Sequence, residues 1–273
     1  MVIGYDTRFL SENVAALAAE ILAGNGMPCF LGTRPMPTPV VTFAILEGKR
    51  DGGLTITASH NPGEYNGIKF APHWGGPAPT ALTNAIEGKI RQLTPADVLS
   101  LPLDQAREKN LVTDIDPRDD YLQDLATKID VSVIHQAGLK IVVDPLYGTA
   151  VGYLDRFLEE AGVAVEVIHD WRDPYFGGTR PEPNAQVLME LSEAVKAQGA
   201  HLGLAVDADA DRFGIVDAQG HYHDANLILS LLLDYLVESR GWRQGVARSV
   251  ATTHLIDRVA AYQLCFKFGR CYH

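Results

Sequence analysis

Three carboxylates at alternate positions, Asp207, Asp209 and Asp211, followed at once by Arg212, carry the plainest chemical meaning in this sequence. They sit between two apolar runs, His201 to Val206 and Phe213 to Val216, whose lengths and β-branched content predict strands. Like charges at i, i+2 and i+4 repel, and the repulsion has to be answered by solvent or by a cation. In an extended strand the outer two would stand roughly 13 Å apart at about 3.3 Å per residue, and in a helix the middle one would point to another face. A tight loop brings all three around one ion, and the small Ala208 and Ala210 leave room for it. Oxygen ligands without His or Cys favour Mg²⁺, Mn²⁺ or Ca²⁺ over zinc or copper. An EF-hand begins with the same pattern but needs Gly at loop position six and Glu at twelve, where this sequence has Arg212 and Ala218. A solvated acidic turn has the same spacing and stays open. Arg212 shifts the balance, because its planar fork can neutralise a carboxylate or hold a phosphate.

A second group lies near the first quarter of the chain. Gly53 to Thr57 predicts a strand that delivers Ala58-Ser59-His60-Asn61-Pro62, and the Asn-Pro pair closes it, leaving a hydroxyl at the mouth of a sheet. Ser and His are also ordinary loop residues, and adjacent side chains in an extended chain point apart. Asn66-Gly67 predicts a turn into a returning strand, Ile68-Lys69-Phe70, which would bring Lys69 back beside Ser59. A solvated edge charge is the plain alternative for Lys69.

The elements that must position these residues follow an α/β order. Val2 to Tyr5 reads as a buried strand leading into Asp6-Thr7-Arg8; Ser11 is placed to cap the next helix, whose stripe is Val14, Leu17, Ala18, Ile21 and Leu22, ended by Gly24 and Gly26. Cys29 to Leu31 is a strand, and Pro35, Pro37 and Pro39 hold an extended entry into a helix from about Val40. Later, strands at Leu139 to Asp144 and Val163 to Ile168 alternate with helices at Ala150 to Ala161 and from Asn184 to Lys196, so the third strand of a βαβαβ unit ends at the carboxylates. Phe176 to Asn184 reads as a structural loop. A helix at Leu227 to Val237, a strand at Val246 to Ala251 and a helix from His254 to Tyr262 complete the expectation.

Thr57-Ala58-Ser59-His60-Asn61-Pro62, then Asn66-Gly67-Ile68-Lys69, then Asp207-Ala208-Asp209-Ala210-Asp211-Arg212, in this order and separation, resembles the α-D-phosphohexomutase family of phosphoglucomutases and phosphomannomutases. The resemblance implies two mixed α/β/α-layered domains, at residues 1–135 and 136–222, and an incomplete third at 223–273. It implies that Ser59 is carried as a phosphoserine and that its phosphate, with Asp207, Asp209 and Asp211, binds one Mg²⁺, with a hexose 1,6-bisphosphate as activator. His60, Lys69, Arg8 and Arg212 would surround the phosphoryl group, Lys69 helping the acid/base step and Arg212 stabilising charge. The implied substrates are the 1- and 6-phosphates of glucose or mannose; phosphoglucosamine mutase and a non-catalytic Mg²⁺-binding remnant are the alternatives. Members of the family carry a further strand and helix before the strand that here begins at Val2. From Gln263 onward the resemblance stops, and neither the Glu-x-Ser sugar loop nor the Arg-x-Ser-Gly-Thr phosphate loop follows. The expectation is therefore a chain shortened at both ends, poorly soluble and impaired as a mutase.

Whole-chain properties bound the reading. The 273 residues are 47% hydrophobic and 21% charged, as in soluble globular proteins, and the net charge of −11 argues against nucleic acid as the main partner. Ser239 to His273 is basic, with Asp257 its sole acidic residue. Cys29, Cys265 and Cys271 cannot all pair and lack zinc spacing, and Met1 is followed by no apolar leader, so a cytoplasmic protein with reduced thiols is expected. The most apolar run, Leu227 to Val237, is too short to span a bilayer. Sequence says nothing of oligomeric state.

Overall fold

The structure is a computed structural model and describes residues 1–266, with nothing to say of the side chains of 264–266. Lys267 to His273, and with them Cys271, lie outside the described residues, and the Cys265 side chain is likewise undescribed. In chain order the first half runs β1 (Val2–Tyr5), α1 (Ser11–Gly24), β2 (Cys29–Gly32), α2 (Thr38–Glu47), β3 (Gly52–Ile56), β4 (Ile68–Pro72), α3 (Thr80–Ile90), α4 (Leu103–Glu108), β5 (Val112–Ile115), α5 (Arg118–Lys128) and α6 (Val131–Gln136). The second half runs β6 (Lys140–Asp144), α7 (Leu154–Glu160), β7 (Ala164–Val167), α8 (Met189–Gln198), β8 (Leu202–Val206), β9 (Phe213–Asp217), β10 (Tyr222–His223), α9 (Ala225–Ser239) and α10 (Leu255–Ala260).

The first sheet has the order β4-β3-β1-β2-β5, parallel except for β4, which returns antiparallel beside β3. Successive residues of a strand face opposite sides, and β1 uses both. Ile3 packs with Ala15, Ala19 and Ala23 of α1, while Val2 packs with Val40, Val41 and Ile45 of α2. Gly4 lets α2 come this close, since a Cβ there would stand 2.4 Å from Val41 Cγ2. Burying a side chain of this size contributes roughly 1.5 to 3 kcal/mol, so two-faced burial of β1 makes it the keystone of its layer.

The second sheet has the order β10-β9-β8-β6-β7, with β8, β6 and β7 parallel and β9 and β10 antiparallel. The alternation repeats: Val142 packs toward Leu191 and Val195 of α8, and Ile141 and Val143 toward Leu158 of α7. Tyr153 and Phe157 leave this layer to join Leu122 and the α2 residues in one core. The two α/β/α layers are thereby fused by apolar packing as well as by polar bonds.

Several expectations are corrected. No strand forms at Val246 to Ala251: Val250 is fully exposed, and no described strand pairs with this segment, so its backbone has no ladder to join. The helix expected from Ala150 starts only at Leu154, because Gly152 takes a positive φ of 76° and breaks the turn before it. Asn184 accepts from the amides of Gln186 and Val187 and so closes a turn, and α8 begins later, at Met189. Ser11 lies inside α1 and donates to Asp6 Oδ1 at 2.7 Å rather than capping it. Cys29 is a buried free thiol. No described helix is long and apolar enough to cross a membrane.

Candidate active site

The carboxylate loop joins β8 to β9. Antiparallel pairing of these two strands would let a short turn suffice, but the chain makes a tight curl in which the Asp207 side chain supplies the missing partners. Its Oδ1 accepts from the amides of Asp211 and Arg212 at 2.9 and 3.0 Å, and Ala210 takes a φ of 57° to complete the turn. The curl gathers one oxygen from each of Asp207, Asp209 and Asp211 to within 4.8 Å of one another. Two of the carboxylates are fully buried, and Asp207 Oδ2 and Asp209 Oδ1 have no hydrogen-bond partner. Leaving such atoms unpaired is costly. Burial, with the charges of Asp209 and Asp211 beside it, pushes the Asp207 carboxyl up to about 8. A bound divalent cation answers both the orphaned oxygens and the repulsion, and an all-oxygen donor set suits a hard ion such as Mg²⁺. The residues present fit that group.

The first layer meets this loop through two side chains. Thr38, the first residue of α2, donates its backbone amide to the Asp209 carbonyl and its hydroxyl to Asp209 Oδ2, both at 2.8 Å. Lys69 Nζ lies 2.7 Å from Asp209 Oδ2 and 3.3 Å from Asp211 Oδ2. Burial pulls the Lys69 ammonium down, but these two carboxylates outweigh it and the net direction is up, so Lys69 is held as a cation. Lys69 faces Thr55 across the β3–β4 ladder, and the amide of Thr57 bonds the carbonyl of Gly67 at 2.9 Å. Ser59 lies in the loop that joins β3 to β4.

Ser59 takes a left-handed φ of 55°, held by the bond from its amide to Thr57 Oγ1 at 2.9 Å. That kink turns the Ser59 hydroxyl and His60 Nδ1 toward each other, at 3.5 Å, where an extended chain would point them apart. Arg8 and Arg212 are both engaged by protein groups. Arg8 is fully buried, and all five of its N–H donors are used: Nε on Asp6 Oδ2, Nη1 on the carbonyls of Pro62 and Tyr65, Nη2 on those of Ser59 and Asn61. It holds the Ser59 loop from beneath and has no donor left for a phosphate. Arg212 is paired with Glu182, and its Nε lies 4.0 Å from Asp211 Oδ1.

Sequence reasoning did not single out Thr38, Glu182, Asp6 or Arg172. Arg172 reaches from the second layer to the first, forming a two-pronged pair with Glu12 and donating to the carbonyls of Thr7 and Arg8. Only the Pro-Thr-Pro run before α2 offered a signal, since a Thr at a helix start presents both a free amide and a hydroxyl.

Sequence models described as phosphoglucomutase/phosphomannomutase, alpha/beta/alpha domain I and domain II, match residues 1–97 and 119–220. The chain belongs to the α-D-phosphohexomutase family. Among the family's curated members, the phosphoglucomutase of Komagataeibacter xylinus is 31% identical over 290 residues, covering 95% of this chain and 51% of its own length. The phosphoglucosamine mutase of a Synechocystis strain is 34% identical over 240 residues, covering 88% of this chain and 48% of its own. A solved phosphohexomutase structure from Thermus thermophilus, assigned as a phosphomannomutase, superposes with a TM-score of 0.85 at 30% identity, covering 98% of this chain and 58% of that one. The chain thus spans about half the length of the curated relatives it matches.

Proposed function

We propose that the protein is a phosphohexomutase that interconverts the 1- and 6-phosphates of glucose or mannose, with Ser59 as phosphoryl carrier and Asp207, Asp209 and Asp211 as ligands of one Mg²⁺. The observation that carries this reading is the pair of orphaned, buried oxygens on Asp207 and Asp209, tied through Lys69 to the hairpin whose connecting loop carries Ser59. Priming by a hexose 1,6-bisphosphate breaks one P–O bond of the sugar ester and forms one to Ser59 Oγ, and the hexose monophosphate leaves with its freed oxygen protonated to a hydroxyl. The proton leaving Ser59 passes to a neighbouring base, and His60 Nδ1 is the ring atom within reach. Lys69 and Arg212 supply positive charge at the carboxylate side of the reacting group, and the Asp6–Arg8 pair keeps the loop in place. A divalent ion bound by the three carboxylates would neutralise charge on the phosphoryl oxygens, which is most of what this chemistry requires.

The test is intact mass after incubation with glucose 1,6-bisphosphate and Mg²⁺. One added phosphoryl group on the protein, absent in Ser59→Ala, is expected; labelling that persists in the variant means the carrier is another residue. Protein that never takes up phosphate, while Mg²⁺ still raises its melting temperature, would instead be a non-catalytic metal-binding relative. Curated relatives named phosphoglucosamine mutase favour a second reading of the substrate. Coupled assays with glucose, mannose and glucosamine 1-phosphates side by side decide between them.

A further inference from the structure

The loop at Asp173 to Gly178, in the second layer, is braced by its own first residue. Asp173 accepts from the amides of Tyr175 and Gly177 at 2.9 Å each, and Phe176 and Gly177 take positive φ of 53° and 66°. A non-glycine residue in that region costs free energy that surrounding contacts must hold. Here the strain delivers a Phe176 ring that is 1% exposed to the guanidinium of Arg8, whose Cζ lies 4.8 Å from the ring centroid. The same loop presses on the Ser59 loop itself: a Cβ on Gly63 would stand 2.7 Å from the Pro174 carbonyl oxygen. Arg8 in turn grips the carbonyls of Ser59, Asn61, Pro62 and Tyr65.

We infer that Phe176 is a positioning residue for the phosphoryl carrier: from the second layer it fixes the plane of the Arg8 guanidinium, and Arg8 fixes Ser59. The inference rests on the reading of Ser59 as the carrier for its catalytic consequence, but the mechanical coupling stands by itself. A desolvated cation–ring contact is directional, and a misplacement of the nucleophile by a fraction of an ångström is felt in rate rather than in substrate affinity.

The test uses the whole chain with two readouts. Amide hydrogen exchange in Phe176→Leu is expected to rise at residues 59–66 and to stay at the wild-type level in β1, β6 and β8. Because Phe176 is fully buried, Gly63→Ala serves as the second variant, since it forces the same two loops apart with the ring intact, and it is expected to raise exchange in the same window. Unchanged exchange at 59–66 in both variants, or a rise spread evenly over both sheets, overturns the proposal. With glucose 1,6-bisphosphate and Mg²⁺ as probe, the rate of Ser59 phosphorylation in Phe176→Leu is expected to fall about tenfold at an unchanged half-saturating concentration, and Phe176→Tyr is expected to restore it. Labelling of Phe176→Leu at the wild-type rate also overturns the proposal. Wild-type protein that takes up no phosphate removes the carrier reading alone, and the exchange experiment still decides the coupling.

Discussion

Lys69 Nζ stands 2.7 Å from Oδ2 of Asp209, a residue 140 positions later in the chain and in the other layer. The ammonium is 40% exposed, while the carboxylate is fully buried. The pair is therefore unequal: Lys69 can be resolvated if it leaves, and Asp209 cannot. Removing the cation strands a buried charge, which costs about 3 to 5 kcal/mol in closed sites, and the exposure of Lys69 reduces this to about 1 to 2 kcal/mol. Lys69→Met should lower the urea midpoint accordingly, and Mg²⁺ should recover more of the stability in the variant than in the wild type, because a metal on the free oxygens supplies the lost charge. Equal responses to Mg²⁺ in both proteins would separate Lys69 from the cluster.

Asp207 gives the cluster a pH signature of definite sign. Its folded value is raised to about 8, whereas an unfolded Asp titrates near 4, roughly. Between those values the folded chain holds a proton that the unfolded chain has lost, so stability of the metal-free protein falls as pH rises. Asp207→Asn should flatten this slope in denaturation curves and should abolish stabilisation by Mg²⁺. Saturating Mg²⁺ should flatten the slope of the wild type as well. A wild-type slope that survives saturating Mg²⁺ would place its origin in another group.

Arg8 is the residue for which charge alone is insufficient. Lysine keeps the positive charge beside Asp6 but has three donors where five acceptors wait, so at least two of those acceptors lose their partner. Arg8→Lys should cost roughly 2 to 6 kcal/mol at the rate of about 1 to 3 per unsatisfied buried group. Denaturant titration reads this directly, and a loss below the experimental error would mean that the loop carbonyls find other partners.

How much of this was readable beforehand depends on distance along the chain. The strands of both sheets from Val2 to Ile56 and from Lys140 to Asp217 announced themselves through short apolar runs, and the Asn66-Gly67 turn foretold the return of β4 beside β3. The carboxylate curl was legible because like charges at fixed spacing allow few geometries. The placing of Arg8 was not. Its pattern, Asp6-Thr7-Arg8 after a strand, fits a ligand-facing loop, and only the fold reveals that Pro62, Tyr65, Ser59 and Asn61, some 50 residues on, use every donor it has. Phe176 was hidden for the same reason: a Gly-rich loop looks the same whether it is free or wedged against a partner. β5 at Val112–Ile115 carries two exposed polar residues in its four, and so lacked the apolar run that marks a buried strand.

His169 supplies a second pH dependence, outside the three carboxylates. Its Nδ1 lies 3.0 Å from Asp144 Oδ1 and its Nε2 3.0 Å from Glu190 Oε2, and its ring lies against Tyr147 with centroids 4.5 Å apart. The bond to Asp144 raises its pKa above the usual value, partly opposed by burial, with Glu190 adding to the rise. Asp144 is fully buried and Glu190 largely exposed, so the first contact should persist in salt while the second is screened. For a group whose folded pKa lies above its unfolded one, stabilisation is complete below the unfolded value of about 6.5 and disappears as pH climbs through the folded value. Comparing wild type with His169→Gln, both saturated with Mg²⁺ to silence Asp207, the stability difference should be largest near pH 6 and shrink steadily on the alkaline side. The ring protons of His169 should titrate in the same interval, above the value for a free histidine. A difference that holds constant over that range would mean the imidazole is neutral in the fold, and that Asp144 is satisfied by a neutral N–H donor rather than by charge.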